Sequence, residues 1–392
     1  MNSLGKDMKR INLTGKEKIL VVRTDRIGDV ILSTPVLEAI KSSCPKSHLT
    51  MMISPYTKDI VKNNPHLDDV IIDDHKNVHK GVGGFLRLIK KIRGEKFDIG
   101  VLLRPTFRLA ILLYLSGIKY RIGTGYRSYQ IFFNRKIYQH RKRNLKHESD
   151  YNMDMLKPLG IKSQRYEPYG SCQRILPRVF LSESEEDLAD RMFENLKIKT
   201  DNIVVAIHPG SGNSSLNLPI KRFAQAADSL IEDMKAKVII TGTEREMGLA
   251  NLIENRMRNK PINLVGKTNS RQLASLLKKI DVLISNSTGP MHLSAALGTP
   301  TVAIFSPIFA TGPIRWGPCG EGHEVILPPV PICLKCNPKS CPYYDCMEKI
   351  KAQEIVSRVK AILKEKIMER QSQKTRSSSD GVETGMDACP EL

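Results

Sequence analysis

The sequence lacks any apolar run long enough to cross a bilayer. The longest, Leu109 to Ile118, falls well short of the roughly 20 residues a spanning helix needs. A secretory signal is missing too: residues 1–17 are polar, and the first apolar run, Ile19 to Val22, has only the length of a strand. A soluble, cytoplasmic chain is expected, with peripheral membrane contact left open. Acids are scarce beside bases, 41 Asp and Glu against 61 Lys and Arg, giving a formal charge of +20. That balance favours anionic partners such as phosphosugars, nucleic acid or a membrane surface, although a lysine-rich solvated surface would also produce it. No RRM, KH or helix-turn-helix pattern accompanies the charge, which argues against nucleic acid. The dinucleotide fingerprint GxGxxG is absent after the first strand. With 41% apolar residues in 392, the chain can still build the cores of two ordinary domains.

What is present is alternation. Lys18–Val22 reads as a buried strand, Arg23–Asp29 as a polar turn, and Val30–Lys41 as a helix with apolar residues at helical spacing. Leu49–Ile53, Val70–Ile72 and Phe97–Leu103 read as further strands, and Phe85–Arg93 and Arg108–Leu115 as helices. Tyr120–Gly125 opens a loop into a basic stretch, Arg135–Lys146, and Tyr151–Leu159 reads as helix. Ile161–Arg178, a mixture of Pro, Gly, Ser and charge, reads as a linker. Ser182 and Glu185 have the spacing of a capping box at the start of a helix to Leu196. A second alternation follows: strands at Ile203–Ile207, Lys237–Thr241, Ile262–Leu264, Val282–Ile284 and Thr301–Phe305, with helices between them. Gln353–Arg370 reads as a last amphipathic helix, and Gln371–Leu392 as a disordered polar tail.

These runs predict an α/β fold of two doubly wound, Rossmann-like domains facing across a cleft. The expected divisions are a loose leader at 1–17, a first domain at 18–178, a second at 179–352, the last helix at 353–370 and the tail at 371–392. Ligands of such sheets sit at the carboxyl ends of the strands. The loops Arg23–Asp29, His208–Gly212, Gly242–Glu246 and Ser285–Pro290 all belong to that edge. In the last of them a strand runs through Ser287, Thr288 and Gly289 into a helix bearing His292. Its free N–H groups and helix dipole suit a phosphate. An ordinary crossover whose loop caps its own helix would look the same.

Four segments, RTDRIGDVILSTPVLEAI, HPGSGN, GTEREMGLA and SNSTGPMHLSAALGTPTVAIFSP, occur in this order and resemble glycosyltransferase family 9, the ADP-heptose:lipopolysaccharide heptosyltransferases. The resemblance runs from about Lys18 to the last helix. It implies a GT-B fold, an inverting transfer from an ADP-sugar bound mainly by the second domain, and a last helix packed back onto the first. Asp29 matches the catalytic position, where an inverting transfer needs a base for the acceptor hydroxyl; its other reading is a cap for the helix beginning at Val30. Ser287, Thr288, Gly289 and His292, with Ser211, match the diphosphate site. His208, Gly210 and Glu246 match the nucleotide and ribose site. Arg26 and Arg104 fall on the acceptor side.

The resemblance requires no metal and no cofactor beyond the donor, which is a substrate. It implies a monomer meeting a lipid-linked anionic oligosaccharide at the cytoplasmic face of the inner membrane, with no nucleic acid. Two other readings stay open: a nucleotide-sugar 2-epimerase of the same fold, and a noncatalytic nucleotide-sugar or lipid-binding protein. One departure stands out. Many members carry Lys-x-Trp-Pro before the helix after the His208 loop, where this chain has Leu216-Asn217-Leu218-Pro219; Lys221 or Arg222 is the substitute within reach. Finally, Cys333, Cys336, Cys341 and Cys346 are spaced closely enough for a structural knuckle, with or without zinc.

Overall fold

The structure is a computed structural model that describes residues 10–161, 175–212, 215–337 and 339–364. Its frame is two six-stranded parallel sheets. The first contains β1 (Lys18–Val22), β2 (His48–Ile53), β3 (Asp69–Ile72), β4 (Ile99–Leu102), β5 (Tyr120–Thr124) and β6 (Arg135–Ile137), in the order β3-β2-β1-β4-β5-β6. The second contains β7 (Val204–His208), β8 (Lys237–Ile240), β9 (Ile262–Asn263), β10 (Val282–Asn286), β11 (Thr301–Ile304) and β12 (Glu324–Ile326), in the order β12-β11-β10-β7-β8-β9. Both sheets therefore share one doubly wound topology, and each has its switch point beside its first strand, between β1 and β4 and between β7 and β10.

Parallel strands are covered on both faces, which is why they read as unbroken apolar runs. Successive residues then serve opposite cores. Leu20 and Val22 enter a cluster with Leu88, Ile92, Leu109 and Leu113 on the outer side of the first sheet. Ile19 and Val21 enter a larger cluster that continues through Leu37 and Ile40 into Val204, Ala206, Leu283 and Leu293 of the second domain. The two domains are thus joined by a shared apolar seam.

Several boundaries differ from the expectation for local reasons. Val30–Lys41 is two helices, Ile27–Ile31 and Thr34–Ser43, because Pro35 cannot continue a helix but suits the first turn of a new one. Tyr120–Thr124 and Arg135–Ile137 are paired strands rather than loop. They are short and half polar, so they carry little period-2 signal. Tyr151–Leu159 is an α-helix, Glu148–Met153, that tightens into a 3₁₀ turn around Pro158. The capping box at Ser182 and Glu185 is present.

Two expectations need correction. The leader is not loose from residue 10 onward: Ile11 is buried in the shared seam and its N–H donates to the Pro158 carbonyl at 2.8 Å. The last helix, residues 352–364 as described, does not pack on the first domain. Ala352, Ile355, Val356, Val359 and Leu363 join Val205, Phe223 and Val302 in the second domain's core. Arg358 and Lys360 pair with Glu324 and Asp233 of the same domain. The apolar stripe follows the nearest uncovered face of its own sheet. Most of the linker, the end of this helix and the tail fall outside the described residues.

Candidate functional site

The carboxyl edge of the first sheet is organised by a buried arginine. Arg23, only 3% exposed, follows β1 directly. Its Nε donates to Asp25 at 2.7 Å, its Nη2 to Asp29, and its Nη1 to Glu148 at 3.3 Å and to Asn152 at 3.2 Å. Asp29 therefore does not cap a helix. It lies in the first turn of Ile27–Ile31, whose N-cap is Arg26, and its carboxylate is held by the guanidinium. Burial works against the charge on Arg23, but Asp25, Asp29 and Glu148 hold its ionisation above the ordinary arginine value. Burial, helped by the charge of Asp29, raises Asp25 despite the neighbouring Arg23. Arg104 bonds the Thr24 carbonyl at 3.3 Å and approaches Asp25 at 3.8 Å, while Arg26 is exposed beside them.

Glu148 is the hub behind this edge. It is 1% exposed and receives three guanidinium groups: Arg23, Arg141 at 2.6 Å and Arg315 at 2.8 Å. Burial favours its neutral form, yet the three cations outweigh burial and bring its carboxyl down to about 2. Arg315 comes from the second domain, so this ion cluster spans the cleft. Asn144 to the Phe309 carbonyl and His147 to the Gly317 carbonyl, the latter at 3.0 Å, bind the same two segments. In front lies a cavity of about 270 Å³, whose lining includes Leu103, Tyr126, Arg127, His140, Arg141 and Lys142.

At the edge of the second sheet, His208, Gly210 and Glu246 converge. Glu246 Oε2 accepts from the Thr243 N–H at 2.7 Å and its hydroxyl at 2.9 Å, which closes a capping box. Its Oε1 turns towards Gly210, where a Cβ would sit only 1.6 Å away. Gly210 thus has the one side chain small enough for that approach. His208 Nδ1 meets the Thr241 hydroxyl at 3.1 Å, and burial lowers its pKa against the pull of Glu246. Asn286, fully buried, accepts from the Leu218 N–H at 3.0 Å and donates to the Pro209 carbonyl at 2.6 Å, locking the loops after β7 and β10 together. Ser211 donates to the Ser215 carbonyl at 3.3 Å.

Thr288 is the N-cap of the helix Gly289–Ala296, but its side chain makes no capping bond; its hydroxyl faces Ser285 at 3.3 Å. The alternative reading, a loop that merely caps its own helix, thus finds no side-chain capping bond at Thr288. Ser287 lies in the same turn, its N–H donating to the Ile304 carbonyl at 3.0 Å. His292, in the first turns of the helix, is buried, which pushes its pKa down to about 3. Among the described residues its Nδ1 has no hydrogen-bond partner.

The two edges touch at this point. A Cβ on Gly28 would lie 2.6 Å from His292 Cδ2, and one on Gly289 3.3 Å from Ile27. The helix carrying Asp29 and the helix carrying His292 therefore meet start to start. The matched positions Asp29, Thr288, Gly289 and His292 come together here, with His208, Gly210 and Glu246 along the second edge. Lys221 and Arg222 face elsewhere: Lys221 pairs with the Glu348 carboxylate at 2.7 Å, and Arg222 donates to the Glu348 carbonyl at 3.0 Å. Neither replaces the missing lysine in this arrangement.

Sequence reasoning missed Arg23, Glu148, Asn152, Arg141, Arg315 and Asn286. Glu148 and Asn152 sit four apart on one helix and so share a face. That is the only local sign, and the partners of the cluster are far apart in sequence. All four thiols of the knuckle are unbridged. Burial raises Cys346, and Cys333, Cys336 and Cys341 add to the effect, so the four lie near one another. Among the described residues, no group of three or more His, Cys, Asp or Glu is arranged to hold a metal ion. The backbone of Cys333 exchanges hydrogen bonds with Pro307 and Phe309, fastening the knuckle to the segment that carries Arg315.

Comparison with known proteins adds three findings. A sequence model described as glycosyltransferase family 9 (heptosyltransferase) matches residues 85–346. A Haemophilus influenzae protein, named only as an unconfirmed glycosyltransferase, is 30% identical over 80% of this chain and 90% of its own. Two solved structures share the fold. The glycosyl transferase family 9 protein of Veillonella parvula has a TM-score of 0.80 at 23% identity, covering 91% of this chain and 100% of its own. The ADP-heptose lps heptosyltransferase II of Escherichia coli has a TM-score of 0.70 at 19% identity, covering 89% and 99%.

Proposed function

Because the chain belongs to glycosyltransferase family 9, we propose that it is an inverting transferase that moves a heptose from an ADP-heptose donor to a lipopolysaccharide inner-core acceptor. The observation that carries this reading is the meeting of the Asp29 helix with the open N-terminus of the His292 helix. A base on one wall and anion donors on the other are what a one-step displacement requires.

Asp29 takes the proton of the acceptor hydroxyl. The hydroxyl oxygen bonds to the anomeric carbon from the face opposite the leaving group. The bond from that carbon to the diphosphate oxygen breaks, and ADP leaves with the electron pair. Arg23 holds the Asp29 carboxylate in place. The backbone N–H groups of Gly289 and Met291, together with Ser287, Thr288 and Ser211, receive the charge that develops on the diphosphate. His292, buried and neutral at pH 7, packs at the start of this helix against Gly28 and keeps the two edges in contact. Glu246 accepts from the ribose hydroxyls through the oxygen that faces Gly210, and His208 lies under the nucleotide. The basic cavity of Arg127, His140, Arg141 and Lys142 takes the anionic acceptor, with Arg26 and Arg104 as further candidates on that side.

No helix among the described residues is long and apolar enough to cross a membrane. The deciding experiment screens ADP-heptose against UDP- and GDP-sugars by thermal shift and then measures transfer to inner-core oligosaccharide. ADP-heptose should stabilise the protein most, and ADP should be released only when acceptor is present. Donor turnover without acceptor would favour an epimerase, and binding without any turnover would favour a noncatalytic protein.

A further inference from the structure

The charge of the chain is not evenly spread. Residues 80–146 contain 17 Lys and Arg but only two Asp and Glu, so this stretch supplies most of the formal +20. The same stretch carries large apolar side chains that nothing among the described residues covers. On the helix Gly81–Glu95, Val82 is 77% exposed and Leu86 stands one turn further along the same face. On the neighbouring helix Phe107–Leu115, Phe107 is 59% exposed and Tyr114 also faces out. Ile131, 73% exposed, tops the 3₁₀ turn Ser128–Phe132.

The three elements that carry these side chains pack side by side. The Phe107 ring meets Phe132 at 5.9 Å, and Tyr114 meets Phe132 at 5.4 Å. Arg108 lies 5.0 Å over the Phe85 ring, bridging the first two helices. Exposed cations, among them Arg87, Lys90, Lys91, Lys119 and Arg127, lie on or next to the same elements. Large exposed apolar residues grouped with exposed cations have the chemistry of an interfacial membrane surface: rings and aliphatic tips enter the headgroup boundary while Lys and Arg meet anionic lipid. The patch also reaches the site, since the Tyr129 hydroxyl donates to the Pro105 carbonyl at 2.6 Å, next to Arg104.

We infer that this face of the first domain, formed by Val82, Leu86, Phe107, Tyr114 and Ile131 with the neighbouring Lys and Arg, docks on an anionic lipid bilayer. Docking there sets the carboxyl edge of the first sheet beside the membrane, where a lipid-linked acceptor enters the cleft from its own bilayer. The inference extends the acceptor reading above, but its test needs neither donor nor acceptor, so the two fail separately.

The test is co-sedimentation of the full chain with vesicles of phosphatidylglycerol and phosphatidylethanolamine, compared with phosphatidylcholine alone. Binding should be at least tenfold stronger on the anionic vesicles and should weaken with added salt. The double variant Phe107→Ser/Ile131→Ser should lose at least tenfold in partition, as should Lys90→Glu/Lys91→Glu. All four side chains are exposed, so both proteins should keep the melting temperature of the parent, and sedimentation velocity should show no change of oligomer. Equal binding to neutral vesicles, undiminished binding by both variants, binding to RNA with none to vesicles, or a dimer that the same variants dissociate would each overturn the inference.

Discussion

Glu148→Gln is the most informative single substitution, because the structure assigns Glu148 one buried charge for three arginines. The depression of its carboxyl from 4.5 to about 2, at about 1.36 kcal/mol per pH unit, corresponds to about 3 kcal/mol of folded-state stabilisation. Breaking a buried ion pair by removing one partner costs about 3–5 kcal/mol, the same size by an independent route. The sign follows from the direction of the shift. A carboxyl whose folded pKa is depressed stabilises the protein above its unfolded value, here near 4.5, and loses that contribution as pH falls to about 2. The parent should therefore exceed Glu148→Gln in unfolding free energy by about 3 kcal/mol at pH 7, and the gap should narrow steadily below pH 4.5. Urea unfolding of both proteins at a series of pH values reads this directly. A gap that is absent at pH 7, or one that is present but independent of pH, would refute the hub. A second readout separates positioning from mere stability. Arg23 is shared between Glu148 and Asp29, so the pH profile of turnover should shift in folded Glu148→Gln even where its melting temperature is restored by ligand.

Other substitutions probe the rest of the site. Asp29→Asn keeps the size of the side chain and removes the base, so turnover should fall by about 10²–10⁴-fold with donor affinity little changed; near-normal transfer by the folded variant would move attention to Asp25. Gly210→Ala places a methyl 1.6 Å from Glu246 Oε1, so the carboxylate must move and ADP affinity, measured by calorimetry, should drop at least tenfold; an unchanged Kd would remove Glu246 from the ribose site. His292, with its pKa pushed down to about 3, should show no imidazole titration by NMR between pH 5 and 8, whereas a midpoint near 6.5 would contradict its burial. Cys333→Ser/Cys336→Ser should lower the melting temperature while sparing the turnover of protein that stays folded; a large loss of turnover at unchanged stability would give the knuckle a direct part in the reaction.

Much of this protein was legible along the chain because it is local. Strand β1 at Lys18–Val22 has the bounds its apolar run predicts, and the capping box at Ser182 and Glu185 needs only three residues of context. Parallel strands buried on both faces announce themselves as apolar runs, and the loops after them must lie at one edge of the sheet. That places Asp29, His208, Glu246 and Ser287–His292 at the carboxyl edges of their sheets without any tertiary information. What the chain order could not supply is which charges meet. Arg23, Arg141 and Arg315 are ordinary basic residues until the cleft brings them to Glu148, and Asp29 is a helix cap by propensity until Arg23 claims its carboxylate. The last helix is apolar on one stripe wherever it packs, and only the exposed face of the second sheet decides that residues 352–364 cover that domain. Backbone patterns are set by near neighbours and period, whereas ion clusters and domain seams are set by distances across the fold that spacing in the sequence does not encode.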